Sequence, residues 1–322
     1  MRERELENFF QRKNRDALRW DNKPCGVSPD DVDEDKVKAF VARAGLPWDT
    51  LPNALQKLDL IRDGKLLNAA QVFFAKKPVV KMRCAVFAST TSATLLDHPD
   101  YEGDILELIE QGQSYILKNI FKGMRLEGLY RVDVPELAVP ALREALINAF
   151  CHRDYRDPDE VRIAVFQDRV EIRNPGKLFG GLTLEKLRDG NVSARRNPLI
   201  ADMLRRIRLI EGWGRGMPLI LDNEPDTRFQ EVAHMFITAF PRPSFTPDYA
   251  AKAAANGEVA GEDNVTAGTS GTSTTNTTST TDTPDTSTTS TTDTSTTNTT
   301  STTGTSTTNT TSTTGTSTTR AF

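Results

Sequence analysis

Apolar residues recur every three to four positions in several stretches of this chain and alternate strictly in another, and those periods predict its elements. Leu6, Phe9, Phe10, Ala17, Leu18 and Trp20 are spaced helically across Arg4 to Trp20. Asp33-Glu-Asp-Lys36 is a helix-start signal for Val37 to Ala44, which Gly45 closes, and two or three short helices follow up to Phe74. Gly103 to Ile120 reads as a long helix with Ile105, Leu106, Leu108, Ile109, Tyr115, Ile116 and Ile120 on its buried face. Pro140 suits the first turn of a further helix, because its missing N–H is one that a helix start does not use. Leu142, Ala145, Leu146, Ala149 and Phe150 would face the core. Val161, Ile163, Val165, Val170 and Ile172 then alternate, which predicts two strands with a turn near 167–169, ending at Asn174-Pro-Gly176.

The polar face of the helix after Pro140 carries the chemistry. Glu144, Asn148 and His152 lie at i, i+4 and i+8, so a carboxylate, an amide and an imidazole share one side. By residue type this stripe is either a site or the solvated side of an amphipathic helix. The glycines at 212, 214 and 216 let main-chain N–H groups approach an anion, and Met217 to Leu221 can begin a helix whose N-terminus favours one. A flexible connector is the competing reading of that loop.

Taken in order, Glu144-x-x-x-Asn148 on a helix, a hairpin, a turn ending at Gly176 and the loop Gly212-Trp-Gly-Arg-Gly216 resemble the boxes of the GHKL ATPases. That superfamily is named for gyrase, a heat-shock chaperone, histidine kinases and MutL. More narrowly, Ala141 to Tyr155, Asn174-Pro-Gly176, Ser193-Ala-Arg-Arg-Asn-Pro198 and Ile210 to Gly216 are similar to RecG-like C-terminal domains and transcriptional regulators. The resemblance covers roughly residues 1 to 241.

It implies an α+β fold, a two-layer sandwich of the Bergerat type with a mixed sheet and helices on one face. Residues 79–245 would form this ATP-binding domain, with Val79 to Phe87 as its first strand, after a helical segment at 1–78 and before a disordered tail at 246–322. Asn148 would give its side-chain oxygen to a magnesium ion, and Glu144 would orient or deprotonate a water for attack on the terminal phosphate of ATP. His152, Arg153 and Asp154 belong to the signature, Arg153 as a phosphate partner that Asp154 fixes; the alternative is an ordinary helix C-terminal turn. Asn174 stands where these ATPases usually place an aspartate that meets adenine, and Gly176 ends that turn. A mobile lid at 179–197 would bring Arg195, Arg196 and Asn197 to the nucleotide, opposite Gly212, Gly214 and Gly216. The implied function is an ATP-binding, slowly hydrolysing regulator linked to transcription or nucleic acid, with DNA, a nucleic-acid-binding protein or a second copy as partner. A non-catalytic regulator on an ATPase-like scaffold is the alternative. Family members commonly carry a Schlafen-type AlbA module ahead of the region equivalent to 2–21, and this sequence begins after it.

Composition removes other classes. No Gly-x-x-x-x-Gly-Lys-Ser/Thr loop occurs, so no helicase motor is expected. Cys25, Cys84 and Cys151 are far apart and show neither zinc spacing nor a disulfide framework. A helix-turn-helix at 33–78 lacks a convincing recognition helix, since 55–64 is short and weakly basic. From about Asn256 the chain is almost wholly Thr, Ser, Asn, Gly and Asp, with an eleven-residue unit repeated at 294–304 and 305–315. That unit has no apolar position to bury, so disorder is expected. Six acids against Arg320 make the tail acidic, and the remainder of a chain with net charge −4 is then close to neutral. Without a signal segment or a membrane-length apolar run, a cytoplasmic protein is expected.

Overall fold

A computed structural model describes residues 19–188, 194–210, 215–245 and 258–260. The chain divides into two units, Met1–Thr266 and Ala267–Phe322, and every described residue belongs to the first. The helix expected over 4–20 and nearly all of the expected tail lie outside the described residues.

The N-terminal part is helical, as its periodicity requires. Helix α1 (Glu34–Arg43) starts at Asp33, whose carboxylate accepts from the N–H groups of Asp35 and Lys36, and ends before Gly45 at φ 69°. Helix α2 (Leu51–Lys57) leads into a small hairpin, β1 (Ile61–Arg62) and β2 (Lys65–Leu66), where a recognition helix would have had to lie. Helix α3 (Asn68–Phe74) completes the group, with Phe40, Phe73 and Phe74 in edge-on and tilted contact.

Among the described residues the main sheet has seven strands. Strand β3 (Val80–Phe87) pairs with β4 (Leu95–Asp97) and β5 (Asp100–Gly103) on one side and runs parallel to β8 (Val161–Val165) on the other. Beyond β8, all antiparallel, come β9 (Arg169–Pro175), β11 (Met235–Pro241) and β10 (Arg228–Val232). The parallel pair requires a crossover, which holds helix α4 (Ile105–Asn119), a hairpin of β6 (Lys122–Glu127) and β7 (Tyr130–Pro135), and helix α5 (Val139–His152). Helices α6 (Leu184–Arg188), α7 (Pro198–Arg206) and α8 (Gly216–Asn223) lie between β9 and β10 in sequence. The fold is therefore α+β with a mixed sheet.

Register separates the two faces of the sheet. Met82, Cys84, Val161, Ile163, Val165, Val170 and Ile172 are buried and aligned across β3, β8 and β9, beneath α4 and α5. Gly112 of α4 sits so close that an added Cβ would lie 2.9 Å from Ile163 Cδ1. Arg83, Arg162 and Arg173 occupy the other face in one row, paired with Asp100, Glu160 and Glu171. One hydrophobic core runs from Val32 to Phe240 and includes α1, α2 and α3. Asp21, fully buried, joins the ends of this arrangement by accepting from the N–H of Leu199 at the start of α7.

Glu258–Ala260 forms a short strand, β12, antiparallel to β6. An open strand edge offers main-chain partners that a composition argument about side chains does not register. No helix among the described residues is long and apolar enough to cross a membrane.

Candidate functional site

Helix α5 places its polar stripe against the start of α8. Asn148 Nδ2 donates to Glu144 Oε1 at 3.2 Å, as the one-turn spacing allows. An added Cβ on Gly216 would lie 2.1 Å from Glu144 Oε1, 3.1 Å from its Cδ and 3.2 Å from Asn148 Nδ2. The backbone of α8 can approach the acid and the amide this closely because residue 216 has no side chain.

These groups open on a cavity of about 290 Å³. Glu144, Asn148, His152, Asn174, Gly176, Arg196 and Gly216, all expected site residues, line it together. The floor comes from the sheet. Asn174 and Thr238 are both buried, and their strands place them on the otherwise apolar core face, Asn174 opposite Phe236 and Thr238 opposite Ile172. Among the described residues, six cationic side chains line the walls, Arg143, Lys177, Arg195, Arg196, Arg208 and Arg215, against one carboxylate, that of Glu144. A cavity so lined favours a polyanion.

Gly176 is required by its backbone as well as its surroundings. Its φ is 117°, and a Cβ there would lie 3.1 Å from Asp154 N and 3.3 Å from the Arg196 guanidinium. Its N–H donates to His234 O at 2.8 Å. Arg196 crosses this turn, donating to Asp154 Oδ2 at 2.9 Å and to Lys177 O at 2.6 Å, with its guanidinium 5.2 Å from the Phe179 ring centre. Desolvation raises the Asp154 carboxyl, but hydrogen bonds from Arg156 and the charge of Arg196 outweigh it and hold the group below its ordinary range.

Three expected residues stand away from the cavity. Arg153 is buried and donates to Asp159 O at 2.7 Å, its guanidinium over Tyr155, which stacks on Trp20. Asp154 does not line the cavity and holds Arg196, which does. Asn197, 1% exposed, donates to Cys151 O at 2.9 Å and Arg153 O at 2.8 Å, so it closes the C-terminal end of α5. Gly212 and Gly214 lie outside the described residues.

Sequence reasoning missed Arg143, Lys177, Arg208, Arg215 and Thr238. Arg215 sits inside the glycine motif and was legible there. Thr238 had no signal, because its place depends on the pairing of β11 with β9. Outside the cavity, Asp157, Asp159 and His234 bring one potential ligand atom each within 4.8 Å of one another. His234 Nε2 is 2.9 Å from Asp159 Oδ2, and Arg162 also holds Asp159, so these side chains are already engaged with one another at the surface.

Burial, followed by the charges of Arg196 and Arg195, pushes the His152 imidazole down to about 4, so the ring is neutral at pH 7. The unfolded chain takes up this proton near pH 6.5. Stability from the neutral ring is therefore whole above about pH 6.5 and is lost as pH falls toward 4, with an upper bound of about 3 kcal/mol that partial exposure of the ring reduces. Thermal unfolding across this window should show a falling midpoint that His152→Gln flattens. An NMR titration of His152 centred near 6.5 would contradict the assignment.

Residues 159–235 match the family model described as "Putative ATP-dependent DNA helicase recG C-terminal". The match holds Asn174, Gly176, Arg196, Asn197 and the glycine loop, while Glu144 to Asp154 precede it. No curated protein matches the sequence. The crystal structure of the DIP2311 protein from Corynebacterium diphtheriae is similar, with a TM-score of 0.59 at 18% identity over 74% of this chain and 50% of that one. The chain thus spans about half the length of that protein, and a likeness at this identity carries the fold alone. At residues 159–235 the chain carries an ATPase-type domain of the RecG C-terminal-like family.

Proposed function

We propose that this protein binds ATP with magnesium in the cavity between α5, α8 and the sheet, and hydrolyses it slowly. The observation that carries this reading is the charge of the lining, which among the described residues sets six cations against one carboxylate that touches an amide and a glycine backbone. Phosphoryl transfer asks mainly for positioning and charge neutralisation, so this set is sufficient. Arg143, Arg195, Arg196, Arg208, Arg215 and Lys177 would neutralise the phosphates, while Asn174 and Thr238 would offer polar atoms to a base on the sheet. Glu144 would hold the attacking water and accept its proton. Because Glu144 engages the nitrogen of Asn148, the amide oxygen is the atom left to hold a magnesium ion. Bound there, that ion would supply further neutralisation of phosphate charge.

The test is binding of a fluorescent ATP analogue with and without magnesium. Wild type is expected to bind, and Asn148→Ala to lose at least about tenfold in affinity, with the loss confined to the magnesium condition. Equal, negligible signal from both proteins sinks the proposal.

A second reading is a regulator that uses the ATPase-like fold to bind DNA or a nucleic-acid-linked partner without turnover. The uncharged Asn174 favours it, since an amide accepts from a base more weakly than an aspartate. Absence of phosphate release from wild type, together with a DNA gel shift at moderate salt, would select this reading.

A further inference from the structure

The β6–β7 hairpin ends in an exposed apolar tip and leaves one long edge open. Leu126, Leu129 and Tyr130 are 64%, 97% and 78% exposed. Strand β12 covers the outer edge of β6, but among the described residues no strand pairs with the outer edge of β7. An open edge beside apolar side chains is a template for another strand.

The geometry points to a second copy of this chain as that strand, paired antiparallel through β7 about a two-fold axis at Val132. The loop between Glu127 and Tyr130 has two residues, Gly128 at φ 64° and Leu129. In such a hairpin the closing pair is hydrogen-bonded, so Tyr130, Val132 and Val134 turn their main-chain groups to β6, and Arg131 and Asp133 turn theirs outward. A two-fold axis at Val132 sets Arg131 of each copy opposite Asp133 of the other, and these are the residues with outward main-chain groups. Within one copy Arg131 and Asp133 are already 3.5 Å apart on one side of the ribbon, so they are placed to form a cluster of four charges. The opposite side gathers Tyr130, Val132 and Val134 from both copies into an apolar strip. At residue 135 proline has no N–H to donate, which ends the ladder.

Edge charges usually keep strands apart, but here their order is self-complementary, which a single repelling charge would not be. A two-fold interface uses the same patch on both copies, so each ion pair occurs twice.

Sedimentation equilibrium of the full chain tests this. Wild type is expected to approach twice 35.6 kDa with rising concentration. Arg131→Glu and Asp133→Arg should each raise the dissociation constant about tenfold or more, because each brings like charges opposite one another twice. The combined swap, Arg131→Glu with Asp133→Arg, should restore association. In a Cys25→Ser background, Val132→Cys should give a disulfide-linked dimer under mild oxidation and Val134→Cys should not, since only position 132 faces itself. A wild type that stays monomeric at the highest concentration, or a dimer indifferent to both charge changes, overturns the proposal.

Discussion

Gly216→Ala is expected to lower phosphate release by about 100-fold while leaving the unfolding temperature nearly unchanged. The new methyl would sit 2.1 Å from Glu144 Oε1, far inside contact distance, so something must move by roughly 1 Å. The nearest clash is with the end of a flexible side chain and not with backbone, so the carboxylate yields and the fold survives. Its bond to Asn148 is then lost. A displacement of roughly 1 Å in a positioned catalytic group costs about 100-fold in rate. The same argument predicts non-additivity. Once Glu144→Ala has removed the carboxylate, adding Gly216→Ala should cost little more. Steady-state phosphate release by the two single variants and the double variant decides the matter; full activity in Gly216→Ala, or multiplied losses in the double, would show that the two positions do not act together.

The second large effect is on stability. Asn197→Ala should destabilise the protein by about 2–4 kcal/mol, because it strips two donors from buried carbonyls at the end of α5. For a domain of this size that corresponds to a fall of roughly 5–15 °C in unfolding temperature. Asn197→Asp keeps the shape but cannot donate, and it sets a negative charge against two carbonyl oxygens, so it should fall at least as far. Affinity for the ATP analogue, measured well below the transition, should stay within about threefold, since the side chain does not reach the cavity. A stable Asn197→Ala that has lost nucleotide binding would return Asn197 to the site. Calorimetry and the binding assay on the same preparations separate the two roles.

Local pattern carried much of the fold. The starts of α1, α4 and α5, the strands β8 and β9 and the turn at Gly176 follow from caps, periods of 3.6 and 2, and turn residues, all of which act within a few positions. The β6–β7 hairpin and the strands β10 and β11 were not legible, because their stability comes from neighbours distant in sequence. Motif order also brought Glu144, Asn148, His152, Asn174, Gly176, Arg196 and Gly216 to notice as one group. It could not separate Arg196, which lines the cavity, from Asn197, which caps a helix, although the two are adjacent.

The sequence by itself determined which residues form helices and strands around the polar stripe and which backbone positions must be glycine, since these depend on local sterics and spacing. Tertiary structure alone decided which side chains of each motif face the cavity, that five further polar residues join them, and that no strand among the described residues pairs with the outer edge of β7. Those outcomes depend on strand register and helix packing, where one step of register turns a side chain from one face to the other.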